Sequence, residues 1–229
     1  MAGVDGCRGG WLVVTAQTSP TDGLALGEAV VLADFSAVLA LTSACAAVAV
    51  DIPIGLSADG RRRADFEARR RVGPRRSSVF PAPARTILDG ADYETANARS
   101  KALHGRGVQR QTFNILPKIR EADLSMTPIL QARIVESHPE VCFWALRGEV
   151  HLQHAKRRRE GEAERLTLLE SVYDGSIRGL RPPRGAARDD LYDACVLAWT
   201  AARLAAGTAV HLPAEAERDE RGLRMEIVY

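Results

Sequence analysis

The sequence predicts an α/β domain, a mixed sheet with helices packed on it. Three observations carry that reading. Apolar runs near the N-terminus and around residue 50 have the character of strands, and each ends in an acid. The turn GCRGG joins the first two runs as a hairpin. The stretch DDLYDACVLAWTAARLAAG, residues 189–207, has helical spacing and is apolar over most of its surface, as suits a helix lying on a sheet.

The elements follow in order. Residues 2–5 and 11–17 read as two strands about the glycine-rich turn. After a turn containing Pro20 and Gly23, LGEAVVLAD reads as a third strand. FSAVLALTSACA has helical spacing. AAVAVDIPIGL is a nearly continuous apolar run, expected of a strand buried on both faces and stopped by Pro53. Residues 57–125 change character, with arginine clusters, PAPAR and short helical pieces such as DYETANARSKALH. They predict a helical insertion without a strong core of its own, inside a single domain spanning 1–229. A strand over about 132–136 should end at Glu136, with Pro139 the first residue of a helix. Residues 160–174 predict a helix, RGLRPPRGAAR a loop, and the 189–207 helix closes at Gly207. The tail GLRMEIVY predicts a short edge strand. No internal repeat or low-complexity tract interrupts the chain.

Composition narrows the function classes. The chain has 229 residues, 46% of them hydrophobic, and a net charge of only +2, so it is not globally a binder of polyanions. Its four cysteines, Cys7, Cys45, Cys142 and Cys195, lie far apart without zinc-ligand spacing. They predict small buried apolar groups in a reducing compartment. With no signal-like leader and no membrane-length apolar run, a cytoplasmic protein without a membrane partner is expected.

The acids that end strands or open the last helix are few: Asp5, Asp51, Glu136 and the trio Asp189, Asp190 and Asp193. Parallel strands would bring the first three to one rim of the sheet, where open α/β sheets bind ligands. Asp190 and Asp193, three residues apart, share a helical face. Crowded carboxylates repel and take up protons unless a cation neutralises them. Hard oxygen donors suit Mg²⁺ or Mn²⁺, and a pair of such ions activates water and stabilises a leaving oxygen in phosphodiester cleavage. Plainer readings stand beside this one. The helix acids could cap an N-terminus, Asp51 could be a turn acid, and Glu136 could pair with an arginine.

GVDGCRGGW, AVDIPIGL, the pattern RxxxxxARxxxGxRxSSVFxxPxR at 62–85, QTFNILPKIREAD, ESHPEVCFWAL and DDLYDA together resemble an uncharacterised family of predicted nucleases with the ribonuclease H fold. The resemblance runs from Gly3 to about Ala202. It implies a ribonuclease H-like mixed five-stranded sheet with flanking helices. It also implies a metal-dependent nuclease, whose first-strand acid falls on Asp5 and whose last-helix acids fall on Asp190 and Asp193. The DxxDA spacing is similar to that of Holliday-junction resolvases. The middle ligand is open between Asp51 and Glu136, and the comparison with resolvase-like proteins inclines toward Glu136.

Nucleic acid is the partner this implies, and several residues are candidates to hold it. Arg8 follows the first strand. Residues 61–85 carry nine arginines against two acids, a phosphate-binding face or a solvated helix. Within it Arg69, Arg75, Arg76, Ser77 and Ser78 are candidate phosphate contacts, and Lys118 is a further one. His138 could move a proton or cap a helix. Two other functions remain open: a phosphotransferase or ATPase-like relative, and a catalytically silent nucleic-acid-binding protein. No GxxxxGK[ST] loop favours the former.

Overall fold

The computed structural model describes residues 1–19 and 23–229. The predicted turn at Pro20 lies outside them. In chain order the elements are β1 (Ala2–Cys7), β2 (Gly10–Thr18), β3 (Leu24–Leu32), α1 (Phe35–Leu41), β4 (Val48–Val50), α2 (Arg63–Val72), α3 (Tyr93–His104), α4 (Arg110–Asn114) and α5 (Leu116–Ser125). Then come β5 (Ile134–Glu136), α6 (Pro139–Leu146), α7 (Arg159–Glu170), α8 (Ser176–Gly179), α9 (Arg188–Ala205), β6 (His211–Leu212) and β7 (Ile227–Val228). The main sheet has five strands in the order β3-β2-β1-β4-β5. β2 runs antiparallel to β1 and β3, whereas β1, β4 and β5 are parallel. The fold is therefore mixed α/β with flanking helices.

Side-chain alternation along the strands divides the core in two. Leu12, Val14, Ala49 and Val135 face α9, α6 and α2. Val4, Trp11, Val13, Val48, Val50 and Ile134 face the other way, toward Phe35 and Val38 of α1 and Leu116, Ile119 and Ala122 of α5. A buried indole needs a partner for its N–H, and Trp11 Nε1 donates to Glu121 Oε2 at 2.8 Å. The same oxygen accepts from the Phe35 amide at 3.1 Å, so one carboxylate ties β2, α1 and α5 together.

Segment 57–125 contributes to both faces. Ala64, Ala68 and Val72 of α2 join the α9 side, while α5 covers the opposite side. Two glycines matter to the frame. Gly10 closes the β1–β2 hairpin at φ +133°, where L-residues are strained. At Gly3 a Cβ would overlap the Ala194 carbonyl oxygen and the Ala198 amide, so only glycine lets α9 lie directly on β1. The C-terminal tail differs from expectation: β7 pairs with β6 in a separate two-stranded sheet and does not join an edge of the main one.

Candidate functional site

The parallel strands end together. Val4 pairs with Val50, and the Asp51 amide donates to the Val4 carbonyl at 2.9 Å. Asp5 and Asp51 thus occupy matching positions on neighbouring strands, both on the face that carries α9. From that helix comes Asp193, 2% exposed, while Asp5 is 6% exposed. All three line one cleft of about 610 Å³ at the strand ends.

Their electrostatics show the crowding. Burial raises the Asp5 carboxyl well above its ordinary range, and Asp51 and Asp193 raise it further. Burial also raises Asp51, against the pull of His138 and Lys156. Asp193 is pushed up to about 6 by burial, and Lys156 opposes the shift. Lys156 is the cation of the cluster. Its Nζ stands 2.6 Å from Asp193 Oδ2 and 3.9 Å from Asp189 Oδ2. The surrounding acids hold its own ionisation above the usual lysine range although burial lowers it.

Glu136 also lines the cleft, but from the other face of the sheet. It pairs in register with Val50, so its side chain shares the Val50 side of the sheet and not the Asp51 side. There Arg62 clasps it with two charge-assisted hydrogen bonds, Nη1 to Oε2 at 2.7 Å and Nη2 to Oε1 at 2.6 Å. The Ile54 amide adds a third at 2.7 Å. Arg62 also binds Asp65 Oδ1 and the carbonyls of Ile54 and Gly55. Glu136 is therefore the arginine-paired acid that locks the loop after β4. Asp190 lines the cleft too, but its Oδ2 accepts from the Ala187 amide at 2.8 Å, the helix-cap arrangement.

Few of the candidate phosphate contacts meet the acids. Ser78 and Lys118 line the cleft; Arg8, Arg69, Arg75, Arg76 and Ser77 are not among the residues that do. Arg69 donates to the Val79 carbonyl at 2.7 Å. Arg75 Nε lies 3.5 Å from Glu140 Oε1. Arg8, Arg76 and Ser77 are exposed. Much of the positive charge of 61–85 is spent on internal ion pairs, including Arg85 with Asp123 and Asp219 at 2.8 and 2.5 Å. Lys118 Nζ is held by the Gly10 carbonyl at 2.6 Å and stacks over Trp11 at 4.7 Å. His138 caps α6: its Nδ1 accepts from the Glu140 amide at 3.2 Å, and Nε2 approaches the Ser78 carbonyl at 3.3 Å. Both ring nitrogens are thereby occupied.

Sequence reasoning missed Lys156. The available signal was scarcity: the chain has three lysines, Lys101, Lys118 and Lys156, and the last two line the cleft.

Does this site suit a divalent metal? Buried carboxylates that repel one another, with one ammonium among them, match a hard cation in charge and donor type. Their spacing does not yet enclose one, for among the described residues no three acid, imidazole or thiol side chains form a ligand set as they stand. Lys156 holds positive charge at that place.

The molecule is a mixed α/β protein with a buried carboxylate cluster in a cleft at its parallel strand ends. It belongs to the family described as protein of unknown function (DUF429), whose profile matches residues 3–218. No curated protein and no solved structure gives a significant match. Among the described residues no helix is long and apolar enough to cross a membrane.

Proposed function

We propose that this protein is a ribonuclease H-like, divalent-metal-dependent hydrolase of phosphodiester bonds in nucleic acid. One observation carries the reading: buried Asp5 and Asp193 and half-buried Asp51 converge from β1, α9 and the end of β4, mutually repelling, on a cleft open to a ligand. The mixed five-stranded sheet, and acids on its first strand and last helix, support it. In this reading the middle ligand is Asp51, because strand alternation turns Glu136 to the opposite face.

Mg²⁺ or Mn²⁺ held by Asp5, Asp51 and Asp193, with Asp190 beside them, would polarise the phosphoryl group and ease ionisation of a bound water. The chain's own groups do the rest. Lys118, fixed by Gly10 and Trp11, offers a fixed positive charge to a phosphate oxygen at the cleft wall. Lys156 keeps Asp193 ionised in the absence of metal. The Arg62–Glu136 pair holds the backbone that follows Asp51.

The test is a cleavage screen over single strands, duplexes and junctions of DNA and RNA with Mg²⁺ or Mn²⁺, alongside Asp5→Asn and calorimetric titration of the metal. The expected result is metal-dependent turnover that the variant abolishes while remaining folded. Wild-type rates in Asp5→Asn would overturn the assignment. A second reading, nucleic-acid binding without turnover, draws on the Lys156–Asp193 pair, which supplies a counter-charge without any metal. Binding in EDTA with no cleavage under either metal would favour it.

A further inference from the structure

The wall of the cleft contributed by α4 and α5 has a composition of its own. α5 packs on the sheet face opposite α9, so these two helices reach the cleft from the other side of the strand ends. They present Gln111 and Asn114, three residues apart and hence on one helical face, and then Lys118. The Gln111 and Asn114 side chains are exposed, and neither amide bonds to another described residue. Each carries a donor and an acceptor, the pair of functions needed to read a base edge. Phe80 and Ile115, both half-buried, also line the cleft and offer surface for a base to stack on.

Size and depth add a constraint. The cleft of about 610 Å³ lies in the range of pockets that take one small ligand. Asp5 and Asp193 line it with only 6% and 2% of their surface exposed. A base that stacks on Phe80 or Ile115 and meets Gln111 and Asn114 inside the cleft must be unstacked from its own neighbours, which a paired nucleotide achieves only by leaving the duplex.

We infer that the cleft takes a single-stranded nucleic acid, threaded between the carboxylates and the α4–α5 wall, with Gln111 and Asn114 contacting a base edge. The inference rests on the phosphodiesterase reading for the choice of nucleic acid, but its test does not depend on turnover.

The experiment is fluorescence anisotropy in EDTA with labelled DNA and RNA oligonucleotides, single-stranded and duplex, on wild type and on the double variant Gln111→Ala/Asn114→Ala. Both positions are exposed, and circular dichroism checks that the variant is folded. Single strands should bind about tenfold or more tighter than the duplexes, and the double variant should lose about tenfold on single strands, the scale of one or two polar contacts. Equal or tighter duplex binding, no binding of either form, or an unchanged double variant would overturn the inference. The DNA and RNA arms show which sugar is accepted. Metal titration without nucleic acid separates the two readings. A strand preference with no metal binding sinks the hydrolase and leaves this inference standing, and metal binding with no strand preference does the reverse.

Discussion

The ammonium of Lys156 stands 2.6 Å from the buried Oδ2 of Asp193, on a side chain that keeps 40% of its own surface in solvent. One end of the pair is fixed inside the cluster, and the other can leave it for water. In the function proposed above, a divalent ion would compete with this lysine for the same negative charge.

Replacing Lys156 with glutamine should destabilise the metal-free protein by about 1–3 kcal/mol, below the full cost of breaking a buried pair because the lysine is partly solvated. The same change should tighten Mg²⁺ or Mn²⁺ binding. Thermal melts in EDTA and calorimetric titration check the two halves. A variant that binds metal more weakly would show that Lys156 supports the site and does not compete for it.

Asp51 and Glu136 separate by measurement. Asp51→Asn should weaken metal binding at least tenfold with little loss of stability. Glu136→Ala should leave metal affinity within about twofold and cost about 3–5 kcal/mol, because it strands the Arg62 guanidinium in the interior. Chemical denaturation and calorimetry on both variants decide it, and metal binding lost with Glu136 alone would return that acid to the site.

Stability should depend on pH in a direction set by the cluster. Asp5, Asp51 and Asp193 all titrate above their ordinary carboxylate values in the folded chain. The folded state then binds more protons than the unfolded one between the ordinary value of 3.8 and the folded value, about 6 for Asp193. Their contribution is greatest below 3.8 and is lost as pH rises through that window. Asp5→Asn should flatten this slope and raise the melting temperature at neutral pH by a few degrees, at about 2–4 °C per kcal/mol for a chain of this size. Saturating metal should flatten it too. Melts from pH 4 to 7.5 with EDTA or Mn²⁺ provide the check.

Gly3→Ala should be severe. A Cβ there meets helix backbone, which cannot rotate away as a side chain can. A loss of about 3 kcal/mol or more is expected, within the range for overpacking and beyond that of an ordinary substitution. Urea denaturation measures it, and a cost under 1 kcal/mol would show that α9 shifts freely on β1.

Much of this site was legible in the sequence, because an acid that ends an apolar run stands out. Asp5 and Asp51 could be found that way, and Pro139 marked the start of α6. Choosing between Asp51 and Glu136 required the register of β4 against β5, since a shift of one residue reverses which face a side chain takes. The arginines of 61–85 showed their number but not their partners, and the acids that claim Arg62 and Arg85 lie as far away as Glu136 and Asp219. Lys156 sits in a polar loop beside three arginines, where no periodicity marks it. The pairing of the tail with β6 was hidden because two-residue strands carry too little alternation to read.

Direct contact of α9 with β1 also has a kinetic meaning. Asp5 and Asp51 belong to the first quarter of the chain, whereas Asp193 arrives with the last helix. Docking that helix is a long-range closure, slow by its loop entropy, and it brings a third buried negative charge against two already in place. If that step limits folding, the barrier holds the repulsion, and refolding should speed up when the repulsion is relieved by acid, by neutral substitution or by a divalent ion present from the start.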